Sequence, residues 1–186
     1  MSRQGLTTAA VIATAAHVAD EVGLDRLTLA LVAERSGVSL PALYKHVDGL
    51  EAARRGVTLL ATGELTERMT AVAAGRAGRE ALAAIAAAYR DYAVQHPGRY
   101  AATTRAPAVG DTEHEQLGAA AVALIEAALA SYAAVDVHAI RYVRSVLHGF
   151  VSLETGGGFG LPVSLDTTFA ACVDAMHAAL TDWTTP

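Results

Sequence analysis

An all-α fold of about nine helices is what this sequence predicts, and three observations predict it. Apolar residues recur at three- and four-residue spacing along most of the 186 residues, the period of one helix face. No interval alternates apolar and polar residues as a half-buried strand would. The interruptions fall at glycine and proline: Gly23, Gly37, Gly75, Gly78, His96-Pro97-Gly98, Pro107, and GGGFGLP from Gly156 to Pro162.

In chain order, Thr7 or Thr8 caps a first helix running to about Val22, with Val11, Ile12, Ala15, Val18 and Ala19 inward and Gly23 as its stop. His17, among these small residues, reads as a partly buried structural histidine. Leu24 and Leu27 continue the same packing. Thr28 accepts a hydrogen bond from an orphan amide at the start of a second helix, in which Leu29, Val32 and Ala33 share one side while Glu34 and Arg35 lie opposite. Gly37 suits the left-handed conformation that ends it. Ser39 reads as the cap of a third helix, where Pro41 is tolerated because first-turn amides have no intrahelical partner. On it, Leu43 and Val47 share a face with Val38, whereas Pro41, Tyr44, Lys45 and Asp48 project from the other.

A fourth helix begins near Leu50, and the pattern stays helical from Leu59 to Ala74. Arg79 to His96 carries Leu82, Ile85, Ala86, Tyr89 and Ala93 along one side. A short helical piece follows through Tyr100 to Arg105, then a polar loop to Thr112. Glu113 to Ala134 is strongly helical. Asp136 caps the next helix, which runs to about Thr155, and Ser164 or Asp166 starts a last one ending near Trp183.

At 53% hydrophobic residues the chain has ample material for a core without staples. Cys172, the lone cysteine, lies in the apolar string FAACVDAM and reads as a buried inert thiol. No apolar run reaches the roughly 18 residues of a membrane span, and MSRQGLTT has no signal pattern, so a cytoplasmic protein is expected. The net charge of -5 is unevenly spread. Residues 1–55 hold six basic side chains (Arg3, Arg26, Arg35, Lys45, Arg54, Arg55) against six acids, and residues 56–186 hold eight arginines against thirteen.

The stretch from Thr28 to Val47 is the plan of a helix-turn-helix: two helices clamped at a glycine turn, the second offering its N-terminal side chains to a major groove. Leu29-x-x-Val32-Ala33, Gly37-Val38-Ser39 and Leu43-Tyr44-x-His46-Val47 agree in order and spacing with the DNA-binding domain of the tetracycline-repressor (TetR) family, which the chain resembles over roughly residues 7–55. The resemblance implies a helix-turn-helix domain at residues 1–50 and a helical ligand-binding and dimerisation domain at 51–186. It also implies a homodimer on a palindromic double-stranded DNA operator, released by a small-molecule effector. The side chains then expected at DNA are Thr28, Ser39, Leu40, Pro41, Ala42, Tyr44, Lys45 and His46. Relatives often carry a lysine near the position of Leu50 and polar base readers near Ala30 and Ala42. Readout here therefore leans on Tyr44, on Lys45 toward guanine, and on methyl contacts to thymine, with backbone amides at the start of the fourth helix, and Arg54 or Arg55, facing phosphate.

In the last two long helices, Ile140, Val143, Leu147, Phe150 and Val151 form one stripe, Tyr142, Val146, Gly149 and Leu153 a second, and Phe169, Val173, Met176 and Leu180 a third. Pairing both helices with their copies gives a four-helix bundle, with Val143, Leu147, Gly149, Phe169, Val173 and Met176 as the expected dimer interface. His148-Gly149-Phe150 and GGGFG are similar to a subset of the same family. The residues expected to touch effector are Tyr89, Tyr92, Tyr100, Tyr142, His148 and Phe150, apolar walls with a few polar tips. Few basic residues cluster there, which favours a neutral or cationic aromatic compound.

The competing reading is an all-helical small-molecule-binding module or an enzyme without DNA binding. The seven histidines show no zinc spacing; no metal and no cofactor is expected. His114 between Glu113 and Glu115 reads as a surface charge cluster. No GxSxG is present, and Ser145 with His148 lacks a third partner. No catalytic residue is expected.

Overall fold

The computed structural model describes residues 6–132 and 135–184. Among them every regular element is helical: α1 (Thr8–Val22), a single 3₁₀ turn at Leu24–Arg26, α2 (Leu29–Ser36), α3 (Leu40–Leu43), α4 (Gly49–Ala73), α5 (Gly78–Gln95), α6 (Pro97–Ala102), α7 (Thr112–Leu129), α8 (Val137–Thr155) and α9 (Leu165–Thr181). The stretches expected as a helix near Leu50 and a pattern from Leu59 are one continuous helix of 25 residues. Helix α6 starts earlier than expected, because Pro97 occupies its first turn, where a missing N–H costs nothing. The helix expected to reach Ala134 ends at Leu129, and Ala134 itself lies outside the described residues.

The chain divides into two compact units, Met1–Glu64 with His96–Leu117, and Leu65–Gln95 with Gly118–Pro186. The first unit's core is built from Val11, Ala15, Val18 and Ala19 of α1, Leu24, Leu27, Leu29 and Val32, Leu43 and Val47, Ala53 and Val57 of α4, and Ala102 of α6. Those of α1 to α3 are positions that helical periodicity marks as inward, with Ile12 only partly buried; Ala53, Val57 and Ala102 join them from α4 and α6.

Helix α6 lies hard against α1. A Cβ built on Gly98 would stand 2.0 Å from the carbonyl oxygen of Ala19, so only glycine permits the approach. Beside it Arg99, 7% exposed, donates its backbone N–H to Asp20 Oδ1 at 2.8 Å. Its Nε lies 3.1 Å from Asp20 Oδ2, and its Nη1 lies 3.2 Å from Glu64 Oε2. His17 is exposed rather than partly buried, its ring nitrogen Nδ1 3.0 Å from Arg99 Nη2. A guanidinium only donates, so the histidine nitrogen facing it accepts.

Arg55 closes the same unit from another side, donating to Asp111 Oδ1 at 2.6 Å, to Oδ2 at 2.7 Å and to Glu113 at 2.9 Å. The guanidinium holds the Asp111 carboxyl down at about 2, against an ordinary 3.8. A carboxylate with a depressed value stabilises the fold only while ionised. The tether is therefore whole above pH 3.8 and is lost as pH falls toward about 2. Asp111→Asn should flatten the acid limb of a stability curve in that window, read by circular dichroism against pH. His114, expected on the surface, is buried at 8%, because α7 turns this side of its first turn inward.

In the second unit α5 packs on both α8 and α9. Phe150 sits against Phe159 (5.1 Å between ring centres) and Phe169 (4.9 Å), with the Arg90 guanidinium 5.0 Å from the Phe169 ring centre. Arg90 also donates to Glu154 at the end of α8 (2.6 and 2.8 Å) and to Asp166 at the start of α9 (2.7 Å), so one side chain of α5 holds both stems of the glycine-rich loop. Cys172 is half-buried rather than buried.

Candidate nucleic-acid interface

The local sequence writes the start and stop of α2. Thr28 accepts a hydrogen bond from the Leu31 amide at 3.3 Å, and Gly37 closes the helix at φ 66, a conformation that costs a Cβ-bearing residue strain. The turn amide of Val38 bonds back to the Ala33 carbonyl at 3.1 Å. Ser39 stands at the cap position of α3, but its side chain makes no capping hydrogen bond, which leaves the hydroxyl outward.

Helix α3 is a single turn, Leu40–Leu43, with Pro41 in it. Tyr44, Lys45 and His46 follow as turns rather than continued α-helix. Leu43 and Val47 are buried in the core of the unit, and their burial sets which way the rest points. Thr28, Ser39, Leu40, Pro41, Tyr44 and Lys45 are exposed, Tyr44 at 54%; Ala42 and His46 are half-buried. Along residues 39–47, exposed Ser39, Leu40, Pro41, Tyr44 and Lys45 thus alternate with Leu43 and Val47, which are turned into the core.

The basic residues around this segment are mostly committed to the protein itself. Arg35 makes a two-point pair with Glu21 at 2.5 and 2.6 Å, Arg54 binds Glu51 at 2.8 Å and the Asp25 carbonyl at 3.1 Å, Arg55 is held as above, and Arg26 donates to the Val22 carbonyl. Arg54 and Arg55, expected at phosphate, are thus engaged within the fold. Lys45 is exposed and among the described residues carries no ion pair.

The residues expected at effector fall in both units. Tyr100 belongs to the first unit, where it is buried. Tyr89, Tyr92, Tyr142, His148 and Phe150 belong to the second: Tyr89, Tyr92 and Phe150 are buried, Tyr142 stacks on Trp183 at 5.5 Å, and His148 lies 3.5 Å from Ser152 Oγ. An open cleft of about 820 Å³ lies in the first unit, lined by α1, the 3₁₀ turn, α6 and Arg54 of α4, and sequence reasoning gave no sign of it.

Of the residues expected at a dimer interface, Val143, Leu147, Phe169, Val173 and Met176 are buried within the second unit by its own packing. These five side chains are already covered by the chain's own packing, in a unit where α5 packs on α8 and α9. Gly149 alone of the set is at the surface, with open space around its Cα, on the second stripe with half-buried Tyr142 and Val146 and exposed Leu153.

Residues 11–47 match the model for bacterial regulatory proteins of the tetR family, and residues 82–176 match the tetracyclin repressor-like C-terminal domain. The chain is 38% identical over 171 residues to an uncharacterized HTH-type transcriptional regulator of Mycobacterium tuberculosis, covering 89% of this chain and 78% of that one. It is 34% identical over 155 residues to a second such regulator, from Bacillus subtilis, covering 81% and 80%. A TetR variant of Acinetobacter baumannii, solved in complex with minocycline, has the same fold, with a TM-score of 0.67 at 24% identity over 94% of this chain and 96% of that one. No helix among the described residues is long and apolar enough to cross a membrane. With its helix-turn-helix in place and both of its halves matched, the chain belongs to the TetR family of transcriptional regulators.

Proposed function

We propose that this regulator acts in the cytoplasm as a homodimeric repressor, holding a palindromic operator until a small molecule binds and lowers its affinity. The observation that carries the DNA-reading part is the sidedness of residues 39–47. Leu43 and Val47 are spent on the core, which leaves Pro41, Tyr44 and Lys45 exposed together. In this reading Lys45 donates to guanine and Tyr44 packs against the groove edge, while Thr28, Ser39, Leu40, Ala42 and His46 complete the contact. Because the nearby arginines are paired internally, each subunit neutralises few phosphates, and two copies of the reading segment are needed for useful affinity.

The dimer face in this reading is the outer stripe of α8, Tyr142, Val146, Gly149 and Leu153, with the exposed Ala171, Ala175 and Ala178 of α9. Small side chains there allow helices of two subunits to approach closely. The effector site lies in the second unit among Tyr89, Tyr92, Tyr142, His148 and Phe150, and takes a neutral or cationic aromatic compound. Binding that favours a subunit spacing unsuited to the groove must weaken operator affinity by the same coupling energy.

Selection of bound fragments from genomic DNA tests this reading, since a recovered palindrome reports both the operator and the half-site spacing. On that operator, Tyr44→Ala should weaken binding by about tenfold or more, the size of one good readout contact, with dimer and helix content unchanged. Unchanged affinity would mean the reading edge lies elsewhere.

A further inference from the structure

We infer that Thr8 is a positioning residue for the DNA-reading segment, an inference that rests on the proposed assignment of Tyr44 and Lys45 as readers. Residues 44–46 lie beyond a one-turn helix and hang on turn bonds: Lys45 N–H to the Ala42 carbonyl at 3.3 Å, His46 N–H to the Leu43 carbonyl at 2.9 Å, and Val47 N–H to the Leu43 carbonyl at 3.2 Å. A single turn is not stable by itself and takes its geometry from what surrounds it. Leu43 and Val47 seat the segment in the core, but apolar burial is non-directional. It fixes depth better than rotation.

A directional bond from outside the segment comes from Thr8, whose Oγ1 donates to the His46 carbonyl at 3.1 Å across 38 positions of sequence. The donor stands on firm ground. Thr7 caps the same turn of α1 by accepting from the Ala10 amide at 3.1 Å, and the far end of α1 is gripped by α6 through Gly98 against Ala19 and the Arg99 amide on Asp20. Over its 15 residues α1 is a rod about 22 Å long, so the His46 carbonyl is pinned to a fixed body rather than to another loop. Tyr44 and Lys45, two residues and one residue before that carbonyl, inherit the constraint.

Thr8→Val keeps the shape and removes the donor; Thr8→Ser restores it. The test uses the duplex that the native protein selects from a random-sequence pool, with poly(dI-dC) as the unselected probe. Thr8→Val should lose about fivefold to tenfold in affinity for the selected duplex, the scale of one hydrogen bond, with affinity for poly(dI-dC) and its salt slope unchanged and with Thr8→Ser close to native. An equal loss on both probes would overturn the inference by making Thr8 a phosphate contact. Native-like binding by Thr8→Val while Tyr44→Ala is impaired would overturn the pin and leave the readers standing. Native-like binding by Tyr44→Ala, or no selected duplex at all, would remove the reading on which the pin depends.

Discussion

Gly98→Ala should destabilise the first unit by about 3 kcal/mol or more, an overpacking penalty at its upper end because nothing at the contact can yield. The added methyl would stand 2.0 Å from the Ala19 carbonyl oxygen and 2.5 Å from the Asp20 amide nitrogen, both backbone atoms. The Ala19 carbonyl is already fixed by the Gly23 amide at 2.9 Å, so the last turn of α1 cannot rotate it away without breaking its own cap. Relief comes only from withdrawing α6. Withdrawal stretches the Arg99 amide bond to Asp20 and loosens a guanidinium whose two carboxylate partners lie in the same unit, and a buried charge that loses its partner is costly. Chemical denaturation followed by circular dichroism reads the effect. Gly63→Ala is the matched control: Gly63 lies inside α4 with nothing within 4 Å of its built Cβ, and alanine there should stabilise by about 0.5–1 kcal/mol. Equal midpoints for Gly98→Ala and the native chain would show that the α1–α6 contact is looser than drawn.

What the sequence shows clearly is what neighbouring residues decide among themselves. Thr7, Thr28 and Asp136 cap the helices they were expected to cap, and Gly37 takes the left-handed turn, because each feature needs only the three or four residues beside it. The inward side of α1 and α2 is equally legible from spacing. The order and spacing of the helix-turn-helix residues carried the family, and with it the fold. What remained hidden depends on partners far along the chain. Nothing near Arg99 announces that its partners are Asp20 and Glu64, or that Arg55 spends its charge on Asp111.

Helix α8 shows the same limit in its plainest form. It carries two apolar stripes side by side, and packing from elsewhere in the chain decides that Val143 and Leu147 are buried while Gly149 and Leu153 are exposed. The resemblance names the helices that pair between subunits, but it does not say which stripe of each is already covered by its own chain. Likewise His114 reads as surface between two glutamates, yet the fold turns it inward. Ser39 has the extended backbone of a cap residue at the start of α3, yet its side chain makes no hydrogen bond to a first-turn amide.

In the second unit the largest expected loss is for Arg90→Met, about 3 kcal/mol, the low end for breaking a mostly buried ion pair from one side. Arg90 and Glu154 have side chains only 17% and 14% exposed and meet through two hydrogen bonds. Methionine keeps an unbranched aliphatic stem but loses both the ion pairs and the guanidinium's place over the Phe150 and Phe169 rings, so the single substitution reads their sum. The hydrogen bonds that Arg90 donates to Glu154 raise the arginine's already high value, so the guanidinium is charged at any working pH, and the effect should be the same at pH 6 and pH 8 in order of magnitude. Asp166 is 87% exposed, and an exposed partner contributes little. The two pairs therefore separate in double-mutant cycles. Arg90→Met with Glu154→Gln should show a coupling of more than about 1 kcal/mol, whereas Arg90→Met with Asp166→Asn should be additive within about 0.5 kcal/mol. A cycle in which the Asp166 coupling is the larger would mean that Arg90 restrains the start of α9 more than the end of α8, against the exposures of the two carboxylates.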